Sequence, residues 1–202
     1  MNPSTIPWVS SGLLSLLAGA ILTKNLDTGT PARLAGTVAS SLATLCLGMA
    51  AAACINTPQH TFVDPLIPWL KADVLNAVTM SIFALCTLLT TLMSPQKNSS
   101  GKQIAGLLLI SLATLTATAA AHPVLFVIGW WGTSLPLLIG MFGTIPSRKT
   151  FLIGTILSGL SVSLASLTMH PDANGNVAEL STTGTLLLLA AVMFRKGLFP
   201  FL

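Results

Sequence analysis

The chain has 202 residues, of which 52% are hydrophobic and only 7% charged, with a formal net charge of +4 and a mean hydropathy of +0.83. Soluble domains carry about 25% charged residues, so the composition excludes a soluble globular domain and reads as an integral, multi-pass membrane protein in contact with a lipid bilayer. Nine basic residues against five acidic ones make no nucleic-acid surface; their information lies in where they fall.

A membrane span needs about 20 apolar residues, and seven segments approach that length, near 8–23, 35–55, 74–93, 104–121, 123–145, 151–169 and 183–202. The first, from Trp8 to Thr23, has no basic flank before it and no small-residue cleavage site after it, so it reads as a helix rather than a signal peptide. The expected fold class is all-α: a polytopic transmembrane helix bundle over residues 1–202, six full helices plus a terminal seventh that is broken or partial.

The connections alternate in charge. Loops one, three and five hold Lys24 and Arg33, Lys97 and Lys102, and Arg148 and Lys149, whereas loops two, four and six hold His60, Asp64, His122, His170, Asp172 and Glu179; Lys71 is the one basic exception. Basic loops stay on the cytoplasmic side, which puts the N-terminus outside.

Within the spans, small residues recur at helical spacing. Gly36, Ser40, Thr44, Gly48 and Ala52 mark the second helix, and Gly154, Ser158, Gly159 and Ser163 the sixth. Such stripes let helix backbones approach closely in lipid; a polar pore lining is the rarer use of the same serines. Cys46, Cys54 and Cys86 all sit in apolar runs and are odd in number, which suits buried thiols and neither a disulfide framework nor a metal site. No paired carboxylates, phosphate loop or nucleophile with a base is present, so no catalytic residue, metal or cofactor is expected.

Four further residues have two readings each. Asp73 opens the third helix, where a carboxylate is favoured by the helix dipole, and it is also a candidate proton relay. His122 precedes Pro123 at a turn, and Pro suits the first turn of a helix; a histidine there titrates near neutrality or simply sits at the interface. Trp130 and Trp131 lie about two turns into the fifth span, as part of an interfacial belt or as packing inside the bundle.

The terminal stretch Ala190-Ala-Val-Met-Phe-Arg195-Lys196-Gly197-Leu-Phe-Pro200-Phe-Leu202 is where full charges run into an apolar segment. Pro200 has no N–H, so the carbonyl of Lys196 loses its helical partner and the lysine sits at a helix break with Gly197. A charge in a membrane helix costs at least about 2.5 kcal/mol and marks an ion or proton path by default. Lys and Arg are equally the ordinary cytoplasmic flank of a span.

Taken together, Leu70-Lys-Ala-Asp73-Val-Leu-Asn, His122-Pro-Val-Leu-Phe-Val-Ile-Gly129-Trp130-Trp131-Gly132 with Leu135-Pro-Leu-Leu-Ile-Gly140, and Lys196-Gly-Leu-Phe-Pro200 resemble three motifs of the antiporter-like membrane subunits of respiratory complex I. Their relatives in cation/proton antiporters and inorganic-carbon transport complexes share these motifs. The resemblance spans about residues 60 to 202. It implies a subunit of a proton-translocating complex in a bacterial inner membrane, carrying half of a proton path with Lys196 as its central titratable lysine and Asp73 and His122 beside it. The family's glutamate after Gly-Trp is Trp131 here. Partners would be other membrane subunits, one of them supplying the helices that follow the broken one. Redox or hydration chemistry would reside in those partners, so the chain is at most one subunit of an NADH-quinone oxidoreductase-like enzyme. A non-transporting scaffold subunit, or a truncated remnant of such a subunit, is the alternative.

Overall fold

The computed structural model describes residues 6–26, 29–57, 61–94, 100–141, 148–171 and 177–195. Eight helices lie among them: α1 (Trp8–Lys24), α2 (Gly29–Asn56), α3 (Val74–Met93), α4 (Gly101–Ala119), α5 (Pro123–Gly132), α6 (Leu135–Leu138), α7 (Arg148–Leu167) and α8 (Thr182–Arg195). The protein is an all-α bundle, and three of its helices, Thr30–Asn56, Val74–Met93 and Gly101–Ala119, are long and apolar enough to cross a membrane. The shorter apolar helices are Trp8–Lys24, Pro123–Leu138, Phe151–Leu167 and Thr182–Arg195, where six full spans were expected.

Several helix starts are written locally. Asp73 caps α3, its carboxylate accepting from the Asn76 N–H at 2.8 Å while Asn76 Oδ1 accepts from the Asp73 N–H at 2.7 Å, a reciprocal box that satisfies two orphan donors. Ser100 and Gln103 repeat it on α4. The start of α2 lies six residues before the expected 35; Pro31 falls in its first turn, where a missing N–H leaves no helical bond unmade.

Helices α1 to α4 pack into one unit around Leu16, Leu47, Met80, Leu108 and Leu115, all fully buried. Small residues set the approach. A Cβ on Gly19 would run into Ala39 of α2, and one on Gly36 would stand 2.6 Å from Ile104 of α4. The stripe expected along α2 is used at only one end: Gly36 and Ser40 are buried, while Gly48 has open space beside it and Ala52 is exposed. Buried Ala32, Ala39, Ala43, Leu47 and Cys54 carry the rest of the contact.

Two connections hold short hairpins where plain loops were expected. β1 (Phe62–Val63) pairs antiparallel with β2 (Lys71–Ala72), and β3 (Met169–Pro171) with β4 (Val177–Leu180). Polar backbone leaving the bundle must find partners, and pairing the two legs of each connection supplies them. The first hairpin is also tied down laterally. Leu70 bridges Ala120, the Ala121 N–H donates to the Trp69 carbonyl at 2.8 Å, and the Trp69 and His122 rings stack at 4.7 Å.

The fifth predicted span, 123–145, is interrupted within its described residues 123–141. It divides into α5 and the four-residue α6, with Thr133 and Ser134 between them. Pro136 cannot donate to the carbonyl of residue 132, and its ring crowds that carbonyl. The turn tightens accordingly: the Thr133 N–H still reaches Gly129 O, but the Ser134 N–H turns to Trp131 O at 3.0 Å. Beyond α6, Gly140 adopts φ +74°, a left-handed conformation that glycine enters at little cost, and ends the segment.

Candidate functional site

The kink frees an acceptor. In an unbroken helix the Trp130 carbonyl would take the N–H of residue 134, but that donor has moved to Trp131 O. Two other donors reach the orphan. Thr133 Oγ1 donates to it at 2.7 Å, and the Arg195 guanidinium, arriving from the last turn of α8, donates through Nη1 at 3.2 Å. Arg195 Nη2 also donates to the hydroxyls of Thr133 and Ser134, the latter at 2.8 Å. Its guanidinium carbon lies 5.0 Å from the centre of the Trp130 ring, within cation–π range.

The tryptophans of α5 also meet α7. Trp130 Nε1 donates to Ser158 Oγ at 3.1 Å and Trp131 Nε1 to Ser163 Oγ at 3.4 Å. Gly159 makes room for this: a Cβ there would overlap the Trp131 ring. The small-residue stripe expected on this helix is thus the seat for two indoles, and Gly154, Ser158 and Gly159 are buried in it. Packing inside the bundle, one of the two readings open for Trp130 and Trp131, is what the structure displays.

Depth follows from chain geometry. Ser134 lies eleven residues past Pro123 and Arg195 thirteen past Thr182, so at 1.5 Å per residue the site is about 16–20 Å from the end of the bundle that carries the hairpins. Every partner of Arg195 among the described residues is neutral, and the sequence has no Asp or Glu between Asp73 and Asp172.

Of the residues predicted for a proton path, Lys196 lies outside the described residues, as do Gly197 and Pro200 of the predicted helix break. Asp73 is exposed at the start of α3, occupied as its cap. His122 caps α5, its Nδ1 accepting from the Val124 N–H at 3.3 Å, so both stand at the hairpin end of the bundle rather than at the kink. Trp131, where the resemblance led a glutamate to be expected, faces α7. The structure therefore brings together Trp130, Thr133, Ser134, Ser158 and Arg195; of these, only Arg195, Trp130 and Ser158 drew attention in the sequence. Pro136 two residues after Ser134 was the local signal for the kink.

One buried carboxylate was also underrated. Asp64 is 5% exposed and reaches across to α1, whose own cap position is Pro7 with no side-chain bond. Its Oδ2 accepts from the Ser10 N–H at 2.9 Å, and Oδ1 from Leu66 and Ile67 N–H at 3.0 and 3.3 Å. Asp64 is the missing cap of α1, delivered from a different connection, and it places a negative charge at the positive end of that helix.

At the opposite end, Arg33 donates to the carbonyl of Leu92 in the last turn of α3, a favourable place for a cation. A Cβ on Gly101 would collide with the carbonyls of Leu26 and Thr23, so the basic loops one and three meet there. The two ends differ in charge, with Lys24, Arg33 and Lys102 at one and Asp64, Asp73, His122 and the single basic exception Lys71 at the other. Among the described residues no three of His, Cys, Asp and Glu are grouped as metal ligands. In comparisons with known proteins, no family model matches the chain and no curated protein matches it.

Proposed function

We propose that the chain is a membrane subunit of a proton-translocating complex, similar to the antiporter-like subunits of respiratory complex I and related ion or inorganic-carbon transporters, and that it contributes part of a proton path. The observation that supports this is the meeting of the basic end of α8 with the kink between α5 and α6. A broken helix and a charge at membrane depth are tolerated only inside protein or along a wet cavity, and discontinuous helices of this kind hold the coupling sites of ion-driven transporters. Lys196 follows Arg195 directly in sequence and is the proton-exchanging group in this reading, with Arg195 docked on Thr133 and Ser134 to hold the end of α8 in place. The charge difference between the two ends favours an N-terminus outside and the basic loops in the cytoplasm, in a bacterial inner membrane with other membrane subunits as partners.

The test is proton flux in vesicles carrying the complex purified with this chain. Lys196→Ala should abolish flux while the complex still assembles. Unchanged flux in that variant sinks the proposal. One observation favours a second reading, a scaffold subunit that no longer transports: Trp131 fills space against Gly159 where the family carries its carboxylate. That reading expects Lys196→Ala to alter neither assembly nor flux.

A further inference from the structure

We propose that the face of α4 between α1 and α5 is a seat for one acyl chain of a membrane phospholipid. Two apolar cavities adjoin there. One, of about 190 Å³, lies against α1 and the first hairpin, between Leu13, Leu17, Ile67 and Leu125. The other, of about 310 Å³, continues along α4 and α5 to Pro136 and Ile139 at the kink. Leu112 and Thr116 of α4, one helical turn apart, line both, so the two form one groove of about 500 Å³.

Shape decides the class of occupant. From Leu125 to Ile139 the groove follows fourteen residues of α5 and α6, roughly 20 Å at 1.5 Å per residue. Its mean cross-section is then about 25 Å², some 5 Å across, whereas a helix is about 10 Å wide. A partner helix does not enter it. An apolar cavity of about 150 Å³ takes the six carbons of benzene, so this groove takes on the order of 20 carbons in a row, which is one long acyl chain.

Chemistry agrees with shape. No charged side chain lines the groove among the described residues, and its hydroxyls are those of Ser10 and Thr116. Each gives its proton to its own chain, Thr116 to the Leu112 carbonyl at 2.8 Å and Ser10 to the Pro7 carbonyl at 3.3 Å. The walls therefore suit a ligand that asks for no hydrogen bond. The rim is formed by Leu14, Leu17, Ile128, Leu135 and Ile139, all exposed, so the groove opens sideways onto the apolar surface that meets the bilayer, where lipid chains are the solvent.

The groove cannot close by drawing its helices together. A Cβ on Gly129 would stand 2.7 Å from the Ala117 nitrogen and 2.9 Å from the Ala113 carbonyl oxygen, so α4 and α5 already touch backbone to backbone beside it. An apolar void held open in this way is destabilising until something fills it. This inference stands apart from the proton-path reading, because lipid retention is read without flux.

The experiment is native mass spectrometry of the full chain in mild detergent after incubation with palmitoyl-oleoyl phosphatidylcholine. Wild type should retain one phospholipid. Thr116→Phe, which puts a ring where the two cavities join, should lower the retained fraction about tenfold or more, the loss expected once two methylenes are displaced. Leu42→Phe, on the exposed face of α2, should retain lipid as wild type does. Equal retention in all three proteins, including none in any of them, overturns the site; an adduct with the mass of a free fatty acid overturns the phospholipid source. Should Thr116→Phe fail to fold, wild type decides in vesicles of phosphatidylcholine carrying a diazirine midway along one acyl chain. Photolabelling should then concentrate at residues 109–116 and 128–139, and labelling as strong at Leu42 and Leu45 of α2 overturns the seat.

Discussion

Arg195 grips both halves of Trp130: its guanidinium carbon lies 5.0 Å from the centre of the indole ring while Nη1 donates to the same residue's carbonyl at 3.2 Å. A lysine keeps the charge but has no planar fork to make both contacts along with the two hydroxyls. Arg195→Lys should therefore destabilise the protein by about 1–2 kcal/mol, read as a lowered melting temperature in detergent. An unchanged midpoint would mean that the docking of α8 on the kink adds nothing to stability.

Gly159 is where α7 yields to an indole. Gly159→Leu should cost about 1–3 kcal/mol by overpacking and should weaken the contact between α5 and α7. Combining it with Trp131→Ala empties the space that the leucine needs, so the double variant should be more stable than the sum of the two single changes implies. Additive losses in melts of all four proteins would show that the two residues do not share this space.

Pro136 is the cause assigned to the kink. Pro136→Ala restores an N–H to residue 136, so α5 should continue into α6, with the Ser134 N–H returning to the Trp130 carbonyl. Amide exchange measures this directly: exchange at 134 should be slower than in wild type, and the new amide at 136 should be as protected as a helix-interior one. Fast exchange at 136 would assign the break to Thr133 and Ser134 instead.

Asp64 should matter more than its place in a connection suggests. Asp64→Ala removes the acceptor for three backbone donors, one of them on a different element, and should cost about 1–3 kcal/mol. The loss should show as faster amide exchange at Ser10 than elsewhere in α1. Asp64→Asn keeps one oxygen acceptor and should lie between the two.

What the sequence made legible was what depends on composition and short-range pattern. Hydropathy set the spans from 74 to 93 and near 104 to 121. Asp73 was legible as the opener of α3, whereas His122 as the cap of α5 was not, since its sequence readings were a titrating or an interfacial histidine. What escaped were the relations between distant segments. Pro136 stood in plain view within an apolar run, yet its effect emerges only in the Arg195 contact, which joins residues more than 60 positions apart. Asp64 looked like an ordinary loop carboxylate because its most distant partner is a backbone N–H, and a backbone N–H leaves no mark in a sequence. The Trp131 seat on Gly159 was half legible, since the small stripe was visible but not which side chain would fill it.

The Asp64–Ser10 bond also bears on how the protein is made. Ser10 is synthesised before its acceptor, which lies 54 residues further along the chain. Until that carboxylate is delivered, the Ser10 N–H in the first turn of α1 lacks its acceptor. The first hairpin of helices is therefore provisional, and the end that carries Ser10 is locked only once the connection before α3 has emerged and folded back over it.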